Sequence, residues 1–156
     1  ALMVDTATGS VAQIFEDASY SDEVDTLLTK DVMYVQVIDT DENRNPQSKD
    51  TVLVRVYVGN GTSEGVSGLG LVLDTEVLYL TESGETTGIF RSGSVVLTDT
   101  VYPKVGDGVM SWGKSDTVIV VYGDVNSVDT AIDTALSLEI STASRTVLYE
   151  DAGYAD

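Results

Sequence analysis

Between Asp39 and Asp50 the chain reads DTDENRNPQSKD, which sets Asp39, Asp41, Asn43 and Asn45 at positions 1, 3, 5 and 7 and Asp50 at position 12. Calcium takes roughly six to eight hard oxygen ligands, and alternate residues of a tight loop can aim carboxylate, amide and carbonyl oxygens at one centre. The run departs from a helix-flanked calcium loop. Arg44 stands where Gly would permit the sharp turn, Pro46 follows, and Asp50 replaces a bidentate Glu. With strand-like flanks it is not an EF-hand. It reads either as an oxygen-lined calcium loop or as an Asx-rich turn bonding its own backbone. A second run, FEDASYSDEVD, groups Glu16, Asp17, Asp22, Glu23 and Asp25, and its first half returns as YEDAGYAD with Glu150 and Asp151. Acids at a joint between successive units repel unless a divalent ion bridges them. Glu16, Asp17, Asp22, Glu150 and Asp151 therefore join the candidate calcium ligands, with Asp124, Asn126 and Asp129 as further oxygen donors.

Other chemistry is thinly supplied. The chain has no histidine, the usual general base near neutral pH, and no cysteine nucleophile, so no catalytic residue is assigned and no enzyme is expected. Glu82 and Glu85 flank a turn and read as a solvated hairpin tip. Trp112, beside Met110, reads as a core or loop anchor more than a sugar-stacking platform. The absence of cysteine also excludes disulfides and thiolate metal sites. Acids outnumber bases 26 to 8, a net charge of −18, which repels nucleic acid and anionic lipid. No apolar run reaches the length of a membrane-spanning helix, so no membrane insertion is expected.

The 24 valines and 18 threonines argue against an acidic disordered chain and for strands that hold these loops in place. Strands are predicted over Asp31–Asp39, Thr51–Val58, Glu76–Glu82, Gly88–Thr98, Asp116–Asp124 and Thr134–Ser141. In the second, Val52, Val54, Val56 and Val58 share one face, the two-residue period of a half-buried strand. SGETTG and GDGVMSWGKSD supply turns, and Pro46 and Pro103 both fall in predicted loops. Val125–Leu136 could form a helical turn. The glycine-rich stretch Gly59–Gly70 reads as a hairpin loop, since it lacks the lysine and following helix of a phosphate cradle. Asn60 there opens an N-glycosylation sequon. The fold class expected is all-β: an immunoglobulin-like antiparallel β-sandwich with an extra terminal strand segment.

That extra segment comes from a repetition. Residues 1–22 and 135–156 align without a gap, and Ala1/Ala135, Leu2/Leu136, Thr8/Thr142, Ser10/Ser144, Glu16/Glu150, Asp17/Asp151, Ala18/Ala152, Tyr20/Tyr154 and Asp22/Asp156 are identical. Ordinary residue usage would give about one or two such identities. The reading is a unit of 134 residues: a strand or linker segment over 1–22, a β-sandwich body over 23–134, and over 135–156 a strand with the start of the next repeat. If one sandwich has one slot for this strand, the surplus copy pairs with a neighbouring unit. The alternative is two similar strands within one closed sandwich. Ala1–Thr8 or its twin Ala135–Thr142 is the expected joining element. Leu2, Val4, Ile14, Phe15, Leu136, Leu138, Leu148 and Tyr149 are the expected interface residues for self-association head to tail.

VMYVQVIDTDENRNPQSKDTVLVRVYV, then DTEVLYLTESGETTGIFRSGSVVLTDT, then GDGVMSWGKSDTVIVVYGD resemble the immunoglobulin-like tandem repeats of large prokaryotic secreted and cell-surface proteins. The resemblance covers roughly Asp31 to Asp124 and departs at the glycine-rich insertion before Leu71. It implies an extracellular spacer, filament, surface-layer or adhesin role without catalysis. In the adhesin case, the loops would hold a carbohydrate or a protein.

Overall fold

The computed structural model describes residues 9–28, 30–61, 70–99, 104–113, 115–123 and 130–138. Ten strands run through them: β1 (Val11–Phe15), β2 (Thr26–Leu28), β3 (Val32–Ile38), β4 (Thr51–Gly59), β5 (Val72–Glu82), β6 (Ile89–Arg91), β7 (Val95–Thr98), β8 (Val109–Ser111), β9 (Thr117–Gly123) and β10 (Thr130–Leu138). The protein is all-β, and no helix occurs among the described residues. The strand order is β2-β10-β9-β4-β5-β6-β3-β7-β8, with β1 also on β3.

Alternation builds the centre of this sheet. Val52, Val54, Val56 and Val58 of β4 are buried while Thr51, Leu53 and Arg55 face outward. Full burial of each valine stabilises by about 1.5–3 kcal/mol relative to exposure. One core cluster draws residues from all ten strands, from Ile14 and Leu27 to Phe90, Met110, Tyr122 and Ala135. Strands at opposite ends of the order therefore meet. The clearest case is β1 against β10, where Asp133 Oδ2 accepts the Ile14 N–H at 2.7 Å.

Three sequence expectations need correction. The sheet is mixed, because β10 pairs with β2, and β7 with β8, in parallel. Parallel partners cannot be joined by a tight hairpin: β2 and β10 lie about a hundred residues apart, and β7 and β8 are linked through residues 99–108. Gly88–Thr98 is two strands, β6 and β7. At the break, Ser92 Oγ accepts the Val35 N–H and so substitutes for a ladder partner. Thr130–Leu136 is not helical, since β10 pairs with β9 from Thr130↔Gly123 to Leu136↔Thr117. Strand β10 also runs unbroken across the 134/135 boundary.

Candidate functional site: the acidic loops and the β1 arm

The Asp39–Asp50 loop joins β3 to β4, and most of its oxygens have backbone or side-chain donors. Asp39, only 1% exposed, accepts the Tyr122 hydroxyl at 2.6 Å and the Asp41 N–H at 3.3 Å. Asp50 Oδ2 accepts the N–H groups of Arg44 and Asn45 at 2.8 and 2.7 Å. Asn45 accepts from Gln47 N–H and donates to Ser48 Oγ. Buried Glu42 holds Arg44 Nη2 at 2.5 and 2.6 Å through its two oxygens. Asn43 Oδ1 is different, a buried acceptor with no protein donor. These bonds have the form of the Asx-rich turn. Among the described residues no three acidic side chains form a group that could hold a metal ion.

The second acidic run is the arm that follows β1. Val11–Phe15 pairs antiparallel with β3 in a register running from Val11↔Ile38 to Phe15↔Tyr34, and Ile14 and Phe15 are buried in the chain's own fold. Asp17 then gathers the turn. Its Oδ1 accepts the Ser19 N–H at 2.8 Å and the Ser19 hydroxyl, while Oδ2 accepts the N–H groups of Ser21 and Asp22 at 3.0 and 2.8 Å. The Ser19 hydroxyl, helped by the three N–H groups, holds the Asp17 carboxyl well below the usual carboxylate range despite some desolvation. Next door the Glu16 carboxyl is pushed up, first by a hydrogen bond with the Asp22 carboxyl and then by desolvation and the charges of Asp22, Asp31 and Asp17. Tyr20, at φ 57°, ends the arm. Its ring meets Phe15 and Tyr34 edge-on at 5.5 and 5.8 Å, Arg91 lies 4.5 Å over it, and its hydroxyl donates to the Ser92 carbonyl.

Four more carboxylates accept backbone N–H groups, three of them (Asp74, Glu76 and Asp133) passed over by the sequence reading and one, Glu82, read as a solvated tip. Glu82 is buried, so the expected solvated tip holds only for exposed Glu85. Burial alone would raise the Glu82 carboxyl, but N–H donors from Gly88, Asp50 and Thr87 outweigh it and lower it. Glu76 accepts from Gly106, Asp107 and Gly108, and the positive φ of both glycines lets three N–H groups converge on one side chain. Asp74 accepts from Thr75 and Ser111. On β10, the half-buried Asp133 carboxyl is raised, mainly by desolvation, then by Glu23 and Asp25, against the N–H groups of Thr134 and Ile14. A signal was present for β5: Asp74, Glu76 and Glu82 are in phase with Leu78 and Leu80, the inward side of the strand.

The remaining candidates divide by position. Leu136 is half-buried in β10, its N–H bonded to the Asp25 carbonyl, and Leu138 pairs with Leu28 of β2. Leu2, Val4, Leu148, Tyr149, Glu150, Asp151, Asp124, Asn126 and Asp129 lie outside the described residues, as do the segments Ala1–Thr8 and Ser141–Asp156. Asn60 is exposed and closes its loop by exchanging bonds with Leu71, its Oδ1 accepting the Leu71 N–H at 2.9 Å. Trp112 is 1% exposed within the core, so its ring presents no stacking face. An open cleft of about 360 Å³ lies between the Asp39–Asp50 loop and β4 and β9, lined by Arg44, Arg55, Glu42 and Tyr122 among others. Among the described residues no helix is long and apolar enough to cross a membrane. Compared with known proteins, the chain matches no family model and no curated protein.

Proposed function

We propose that the protein is a non-enzymatic structural unit of an extracellular filament, sheath or surface array. It is an immunoglobulin-like β-sandwich whose neighbours join head to tail by β-strand addition, with calcium in its acidic loops and joints. One observation carries this reading. The segment that occurs twice in the sequence has its first copy seated as a strand of the chain's own sheet. A strand position takes one strand, so the second copy takes the equivalent position in a neighbour when the neighbour's own first copy gives it up. Such a joint is heterologous and does not close on itself, so it propagates as a fibre. The chemistry is the same whether the neighbour is a separate molecule or the next unit of one polypeptide.

Two features support calcium. The Glu16 and Asp22 carboxyls are hydrogen-bonded, that bond and their like charges raise the Glu16 carboxyl, and Asn43 Oδ1 is buried without a protein donor in the Asp39–Asp50 loop. A divalent ion at either place would relieve that cost.

Electron microscopy of the purified protein with calcium, and then with chelator, tests the reading. Ordered polymers that loosen on chelation are expected, together with a fall in melting temperature, because an ion bound only by the folded state stabilises it. A monomer indifferent to calcium, whose melting temperature responds instead to a panel of sugars, would assign the adhesin role.

A further inference from the structure

The residues that hold the β1 arm in place are repeated or conservatively replaced in its second copy. We propose that the groove occupied by β1 is a docking slot for Arg145–Asp156 of an adjacent copy of this unit, seated in the register of Val11–Asp22. The proposal rests on the head-to-tail reading above and moves the joint away from Ala1–Thr8 and Ala135–Thr142.

Three residues seat the arm in the slot, and a fourth, Asp17, shapes its turn. Ile14 is fully buried, and its N–H is pinned to Asp133 on β10. Phe15 is buried at the rim against Tyr20. Asp17 collects the N–H groups of the turn. Tyr20 lies over Arg91 and reaches the Ser92 carbonyl. At the offset of 134 residues, Leu148 falls in the place of Ile14 and Tyr149 in that of Phe15, while Asp151, Tyr154 and Asp156 repeat Asp17, Tyr20 and Asp22.

Of the seven changes between the copies, three fall at exposed positions, and two, Leu148 for Ile14 and Tyr149 for Phe15, keep a large apolar side chain. Val11, 46% exposed, becomes Arg145. Exposed Ser19 and Ser21 become Gly153 and Ala155, which keep the backbone N–H donors of the aspartate staple but give up the Ser19 hydroxyl bond. Two changes weigh the other way. Thr146 replaces buried Ala12, and Val147 replaces Gln13, which accepts from Gln36 and donates to Glu23. The chain's own arm is therefore the stronger occupant side chain for side chain, and the neighbour's segment enters when that arm is displaced.

The chain has no cysteine, so the register can be read by cross-linking full-length variants. Gln13 pairs with Gln36, so Val147 of the incoming segment is expected opposite Gln36. A Val147→Cys chain and a Gln36→Cys chain, refolded together under mild oxidation, should give a covalent heterodimer. The same donor with Tyr34→Cys, two residues out of register, should give several-fold less. Tyr20→Ala in the acceptor should raise the yield by weakening its own arm, and Tyr154→Ala in the donor should lower it. A Gln13→Cys/Gln36→Cys chain should close internally.

The proposal is overturned if that internal bridge does not close, because β1 is then not seated on β3. It is equally overturned if the bridge closes without heterodimer, if the yields at Tyr34 and Gln36 are equal, or if Tyr154→Ala changes nothing. Polymers seen without this cross-link would leave head-to-tail joining intact and place the joint elsewhere. The cross-link without polymers would keep the slot and remove the fibre.

Discussion

Asp17 and Asp133 both accept backbone N–H groups, yet they respond to acid in opposite directions. At Asp17 the Ser19 hydroxyl and three N–H groups outweigh desolvation, so its folded pKa lies below the ordinary 3.8. Its contribution to stability is present above that value and is lost as pH falls through the folded one. At Asp133 desolvation dominates, with Glu23 and Asp25 adding to it, and the folded pKa is raised above 3.8. Its contribution is present below 3.8 and is lost as pH rises through the folded value, so at neutral pH its charge opposes folding. Asp133→Asn keeps an oxygen for the Ile14 N–H, gives up the one that accepts the adjacent Thr134 N–H, and removes that charge. The variant is expected to melt higher than the native chain at pH 7, with the difference closing as pH falls toward 3.8. Melting curves across that range check it. A variant that melts lower at every pH would mean the carboxylate is needed in its charged form.

Strand β1 is held by its inward residues, so its positions should differ sharply in sensitivity. Ile14→Ala removes fully buried methylenes and is expected to cost about 2–5 kcal/mol in denaturant unfolding. Val11→Arg, at an exposed position, should stay within about 0.5 kcal/mol of the native chain. Equal costs would mean that β1 lies in another register. Much of the strand level was legible in the sequence, because β4 and β9 put a run of valines in reach of the core. What escaped has physical causes. Ala131 and Ala135 lie four apart, a spacing shared by one face of a helix and one face of a strand, and only pairing with β9 decides between them. Strands β2 and β8 span three residues each, too short to show a period, and each pairs in parallel, β2 with distant β10 and β8 with β7, so no hairpin turn announces the partner. The Asp39–Asp50 oxygens were legible as residue types. The loop's own N–H donors were legible as an Asx-rich turn, but the distant one was not, because Tyr122 reaches Asp39 from 83 residues away.

Over the whole molecule the charge of −18 is spread across carboxylates of which several act as internal staples. Asp39, Asp74, Glu76 and Glu82 are each no more than 2% exposed and each accepts a hydrogen bond from another segment of the chain, Glu82 from Asp50. Acidity on that scale keeps neighbouring molecules apart unless a specific joint brings them together. In this account the joint is a strand copied at both ends of one 134-residue period, with its first copy seated in its own sheet. Exchange of such a segment is favoured at high concentration and needs the resident arm to leave, so refolding from denaturant gives it access. Sedimentation velocity after refolding at rising protein concentration is the direct test, with the full chain compared to its Leu148→Asp variant. The full chain is predicted to form a ladder of multimers that grows with concentration, and the variant to remain a folded monomer. A full chain that stays monomeric throughout, or a variant that assembles equally well, would contradict the account.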